Sequence, residues 1–144
     1  MVQITEELRA LFPKVFCDHP LNQAWGYKYD DELLSGIKVH ADEAVVNLNF
    51  WITPDEANAD PNSGGLIVYP TTSSTGLDFE DYNIEKDKMY NILEEHDHFN
   101  ITVPYRYNRA VIFRSDMFHA TDNFKFKRGY KNRRINLTFL FGKM

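Results

Sequence analysis

A chain of 144 residues with a net charge of −5 suffices for one hydrophobic core but not for two ordinary domains, and its acidity argues against a general affinity for nucleic acid. Aromatic residues make up 15%, with 11 Phe and 8 Tyr against 7 Gly and 6 Pro, a balance that suits strands and excludes a disordered or low-complexity chain. The lone Cys17 cannot make an internal disulfide, no apolar run approaches the ~20 residues of a membrane span, and Glu6 and Glu7 stand where a secretory leader would be basic; the expectation is a single domain over residues 1–144, in the reducing cytoplasm, with neither membrane nor nucleic acid as partner.

Ile4, Leu8, Leu11, Phe12, Val15 and Phe16 recur at helical spacing. Thr5 is the expected N-cap, with Glu6 and Glu7 favourably placed in the first turn. Pro13 should end or kink this short helix, whose apolar stripe would cover one face of a sheet. From Trp25 the period becomes two, which predicts strands over residues 26–30, 36–40 and 44–53. In the last of these Asn47, Asn49 and Trp51 share one face, and Val46, Leu48, Phe50 and Ile52 the other. Two carboxamides in so apolar a strand either face solvent or line a polar cavity. Their place directly after His40 and Asp42 favours the cavity.

Residues 54–65 are loop chemistry, ending in Asp60-Pro61-Asn62-Ser63-Gly64-Gly65 before a strand at 66–70. The regular spacing then fails over residues 71–98, a polar insertion with a flexible opening at 71–76 and a helix expected at 85–95. Strands resume at 99–103, 109–114, 117–121 and 133–141. About eight strands with short and long connections predict an all-β-dominated fold, a double-stranded β-helix (jelly roll) with a short N-terminal helix and a helical insertion.

The chemistry concentrates in residues 36–42. His40 and Asp42 are one residue apart, so in extended chain they project from the same face, and His119 offers a second imidazole much later. Two histidines and a carboxylate on one side of an iron leave the opposite side open for other ligands. Other polar groups read more plainly. His96 and His98 form the chain's His-x-His but lack the following Glu and flanking Gly of a cupin site, and His19 before Pro20 belongs to a loop. Lys125, Lys127, Arg128, Lys131, Arg133 and Arg134 form a basic cluster, by default a solvated face, with anion docking near the site as the sharper reading.

Taken in order, His40-Ala41-Asp42, the strand Asn108-Arg109-Ala110-Val111-Ile112-Phe113 leading to His119, and Arg134-Ile135-Asn136-Leu137-Thr138-Phe139 make the chain resemble the iron(II)- and 2-oxoglutarate-dependent oxygenases over residues 36–141. The resemblance implies a jelly roll in which His40, Asp42 and His119 hold Fe(II), with 2-oxoglutarate and dioxygen as cosubstrates. It implies that Arg134 takes the 5-carboxylate of 2-oxoglutarate, a role a planar guanidinium fills better than an ammonium. Arg133 is the alternative, because strand register decides which of the two points inward. Asn49, on the polar face of its strand, and Thr71, just past Pro70, are further candidates for touching the cosubstrate. The implied reaction is hydroxylation of a small molecule or peptide side chain with release of succinate and carbon dioxide. Related halogenases carry a small residue where this chain has Asp42, which favours hydroxylation. Two features depart from the family pattern: Asn136 stands where a Ser or Thr is usual, and the chain is short. A cupin-like metal barrel or a non-catalytic binding module on the same fold are the alternatives. Residues 54–65, 71–98 and 123–132 would set the substrate.

Overall fold

The computed structural model describes residues 2–30, 32, 36–72, 86–96 and 99–143. Two helices open it, α1 (Val2–Leu11) and α2 (Pro13–Phe16). Pro13 divides them as its chemistry requires: a missing N–H does no harm in the first turn of a new helix and would break the middle of an old one. The first helix starts earlier than expected. Thr5 therefore lies inside it and is not its cap, and its first turn holds no acid.

Four strands form the first sheet, β1 (Leu21–Lys28), β2 (Val46–Trp51), β5 (Ala110–Arg114) and β7 (Ile135–Phe141), in the order β1-β7-β2-β5. Three more, β3 (Leu66–Thr72), β4 (Ile101–Val103) and β6 (Met117–Thr121), form the second in the order β4-β3-β6. All pairings are antiparallel. The fold is thus sheet-dominated, as expected, with seven strands among the described residues. The eighth, expected at residues 36–40, is reduced to a single bridge between His40 and His119. The reason is register. His40 and His119 exchange both backbone bonds (3.0 and 2.8 Å), but Thr121 N–H then bonds Ile37 C=O (2.9 Å), one residue out of step, so no continuous ladder forms. Residues 36–40 nevertheless run beside β6. From β1 onward the chain therefore visits the first sheet, the edge of the second, the first, the second twice, the first, the second and the first.

Alternation along the strands sorts the side chains into layers. Val46, Leu48, Phe139 and Phe141 leave the first sheet on its outer face, where Leu8 and Phe16 of the two helices cover them; the Phe16 and Phe141 rings meet edge to face at 4.9 Å. On the outer face of the second sheet, Phe118 and Tyr69 pack with Met89 and Leu93 of α3 (Lys86–Glu95), the helix expected in the insertion. Residues 73–85, 97 and 98, including the rest of that insertion and His98, lie outside the described residues. Between the sheets lies an aromatic core of Tyr29, Trp51, Tyr105, Phe124 and Phe126 with Leu66 and Val68. It occupies one end of the intersheet space. The other end is polar.

Candidate metal centre

The polar end is built by three elements whose inward faces converge. Alternation that sends Phe118 outward to α3 turns His119 inward, and the His40 bridge brings the early histidine directly opposite it. The two imidazole centroids are 4.2 Å apart. Asp42 stands between them, with its Oδ2 3.4 Å from Nε2 of His119 and its Oδ1 3.8 Å from Nε2 of His40. One nitrogen or oxygen from each of the three residues lies within 4.8 Å of the others. The triad expected from sequence is therefore brought together, with no fourth histidine, cysteine or acid joining it among the described residues.

Each imidazole is fixed in the same manner. Nδ1 of His40 lies 2.8 Å from the Lys38 carbonyl and Nδ1 of His119 lies 2.9 Å from the Met117 carbonyl. A carbonyl only accepts, so each Nδ1 carries a proton, and Nε2 is the atom that each ring turns toward Asp42. Each Nε2 lies within 4 Å of a carboxylate oxygen. With both Nε2 atoms deprotonated such a set is complementary to a cation. Carbonyl-bound Nδ1 groups are also the usual support of metal-ligating histidines, so the residues present fit a divalent metal.

Electrostatics agree with this arrangement. Burial holds His40 below the usual imidazole pKa, with the charge of His119 acting in the same direction against Asp42. For Asp42 burial pushes upward, but the His119 ring, His40 and the amide of Asn47 together outweigh it and hold the carboxyl below its usual range. Both groups thus favour the deprotonated forms that bind metal.

Asn47 and Asn49 do line the interior rather than an exposed face, at 0% and 5% exposure. Asn47 Nδ2 donates to Asp42 Oδ2 (2.7 Å), and Asn49 Nδ2 donates to Asn47 Oδ1 (2.7 Å). Beside the triad is a cavity of about 150 Å³ bordered by Asn49, Asn136 and Thr138 from the first sheet, Leu66 and Thr121 from the second, and Trp25, Tyr27 and Ile37 at its side. Asn136 donates to Thr138 Oγ1 (2.9 Å), while its own buried Oδ1 makes no hydrogen bond.

Arg134 shares the inward face of Asn136 and Thr138 but does not border the cavity. It is 2% exposed and ringed by Tyr29, Phe124, Tyr105 and Trp51, at 5.2 to 5.9 Å from its guanidinium carbon. Nε donates to the Gly64 carbonyl (2.7 Å) and Nη2 to that of Gly65 (3.2 Å), while the buried Nη1 has no hydrogen-bond partner among the described residues. Tyr29 touches both neighbourhoods, with its ring 5.2 Å from the guanidinium carbon and its hydroxyl 3.5 Å from Oγ1 of the cavity residue Thr121. Arg133 turns outward and pairs with Asp30 at 2.8 Å, which settles the register question in favour of Arg134 as the inward residue.

Thr71, near the end of β3, is not among the cavity residues. Neither His19 nor the exposed His96 joins the triad. Lys125 and Lys127 are exposed because they alternate with the buried Phe124 and Phe126, so that part of the basic cluster is the solvated side of a core segment. Sequence reasoning overlooked Trp25, Tyr27 and Thr121 as cavity residues. The period-two run Trp25, Tyr27, Tyr29 was a legible signal for the first two; that of Thr121 depended on its pairing.

No family model and no curated protein matches the chain. Among solved structures it is similar to one titled "Crystal Structure of EvdMO1", with a TM-score of 0.59 at 14% identity. That likeness covers 97% of this chain and 30% of the other. It is a likeness of fold, and this chain spans less than a third of the other protein's length.

Proposed function

We propose that this chain is an Fe(II)- and 2-oxoglutarate-dependent oxygenase on a jelly-roll scaffold, hydroxylating a small molecule or peptide side chain. The observation that carries the proposal is the convergence of His40, Asp42 and His119 with both Nδ1 atoms bound to backbone carbonyls. The alternation of the chain between its two sheets supports the scaffold, since two facing antiparallel sheets exchanging strands are what a jelly roll consists of. His40, Asp42 and His119 would hold Fe(II), and three ligands from one side leave positions open on the other. Bound iron would supply the activation of dioxygen that couples cosubstrate decarboxylation to hydroxylation.

The protein's own residues do the rest. The carbonyls of Lys38 and Met117 aim the two imidazoles, and Asn47 holds the carboxylate between them. Trp25, Tyr27, Ile37 and Leu66 give the cavity an apolar wall that limits water at the metal. Arg134 supplies the positive charge for the distal carboxylate of 2-oxoglutarate, and its Nη1 is the donor left to give. Asn136 takes the place of the family's hydroxyl residue and can offer its amide on rotation.

Anaerobic titration of the protein with Fe(II) and then 2-oxoglutarate tests the proposal. A weak visible charge-transfer band is expected, absent from His40→Ala and Asp42→Ala, and incubation with cell extract should give cosubstrate-dependent gains of one oxygen with succinate. Metal uptake indifferent to 2-oxoglutarate would instead favour a cupin-like barrel, and no uptake a binding module. Residence in the cytoplasm belongs to the same proposal; no helix among the described residues is long and apolar enough to cross a membrane.

A further inference from the structure

Two carboxamides buried in the middle of a strand need a physical account, because an amide taken out of water without partners is costly. The hydrogen bonds of the two side chains give one. Asp42 is a carboxylate and only accepts, so just one end of the Asn47 amide, Nδ2, can serve it. The two ends of an amide are nearly the same size, and packing alone does not choose between them. Asp42 makes the choice, and Asn49 supports it: its Nδ2 donates to Oδ1 of Asn47 at 2.7 Å, which satisfies the other end of the amide in the orientation that serves the carboxylate. The strand spacing makes this possible, since Asn47 and Asn49 are two residues apart on one face of β2.

We infer that Asn47 is a positioning residue that holds Asp42 in its metal-binding orientation, and that Asn49 acts one step further back by bracing the Asn47 amide from its other end. This rests on the metal centre proposed above and on no property of 2-oxoglutarate. With Oδ2 of Asp42 engaged by Asn47, the carboxylate cannot swing about its Cβ–Cγ bond, and Oδ1 stays turned toward His40. Without Asn49 the buried Oδ1 of Asn47 loses its donor, and the amide is held at one end alone. Asn49 also borders the cavity, as Asp42 does and Asn47 does not.

Co(II) alone serves as the probe, titrated into wild type, Asn47→Leu, Asn49→Leu and Thr53→Val, with far-UV circular dichroism and urea unfolding as controls for the fold. Thr53 is 2% exposed, and its hydroxyl bonds Arg133 C=O and Ile135 N–H, both backbone, so its variant reports the general effect of losing a buried polar group. Asn47→Leu should weaken Co(II) binding about 10- to 100-fold, the usual effect of removing a partner of a metal ligand, and alter the d–d absorption of the bound ion. Asn49→Leu should shift affinity and spectrum the same way by a smaller factor, and the two losses should not add, because both act on one amide. Thr53→Val should leave affinity and spectrum as in wild type. If Asn47→Leu does not fold, Asn49→Leu, which leaves Asp42 its direct neighbour, carries the test alone. Wild-type affinity and spectrum in a folded Asn47→Leu or Asn49→Leu protein would overturn the inference while leaving the metal centre standing; a wild type that binds no Co(II) would remove both.

Discussion

Arg134 is where the proposed function and the folded structure make opposite demands, and Arg134→Met separates them. As a structural clamp the guanidinium ties the start of β7 to the Gly64 and Gly65 carbonyls; as a cosubstrate anchor it is a buried cation kept for a ligand. Methionine loses two hydrogen bonds from a charged donor, together about 3–6 kcal/mol. It also relieves the burial of an ion at 2% exposure, a penalty of several kcal/mol even after relaxation, and its thioether keeps favourable contact with the ring cage. The two effects nearly cancel, and the protein without ligand should lose about 2 kcal/mol or less, roughly 4–8 °C in Tm for a chain of this size. Urea unfolding at constant m measures the first quantity, and the band produced by 2-oxoglutarate on the Fe(II) protein measures the second, which should vanish. A loss beyond about 4 kcal/mol, the range of a broken buried network, with the band intact would refute the reasoning and make Arg134 a clamp alone.

Other perturbations probe different links. Saturating divalent metal should stabilise wild type by about 2.7 kcal/mol at a hundredfold excess over Kd, seen as a rise in Tm, and leave His119→Ala unmoved. In chelator-treated protein the depressed pKa values of His40 and Asp42 mean that the unfolded chain takes up protons the folded one refuses. Stability should therefore fall as pH drops below 6.5, from His40, and fall further as it drops below 3.8, from Asp42, and urea midpoints against pH should show a shallower slope below the upper value for His40→Ala. Gly65→Ala should not give soluble folded protein, because its Cβ would lie 1.8 Å from the Val103 carbonyl oxygen and the paired backbone there cannot move aside; normal expression and circular dichroism would contradict this. Phe118→Ala removes a fully buried ring between β6 and α3 and should cost about 3–5 kcal/mol, with proteolysis in the α3 region accelerating first.

The triad was legible because its chemistry is local on one side and ordered on the other. His-x-Asp in extended chain has one geometric consequence, and a histidine on an alternating strand must face one sheet surface or the other. The strands of period two were legible for the same reason, since alternation reports burial directly: β6 fell where its pattern put it, and Asn47 and Asn49 turned inward as their place after His40 suggested. The segment at 36–40 was not, because its apolar pattern is that of a strand while a one-residue slip against β6 denies it a ladder. Thr5 misled because a good capping residue is also tolerated within a helix whose start is set elsewhere.

From the order of its residues alone this chain specified a sheet-rich fold, helices with one apolar stripe each, and three side chains of kinds able to bind a metal, all consequences of periodicity and side-chain chemistry that need no neighbours. Tertiary structure alone decided that His119 lies opposite His40, that Arg134 rather than Arg133 enters the core, and that Arg134 sits in an aromatic cage and not on the cavity wall. Those are facts of register and of side chains meeting across distant segments, and a one-residue slip, which leaves every local pattern intact, would reverse each of them.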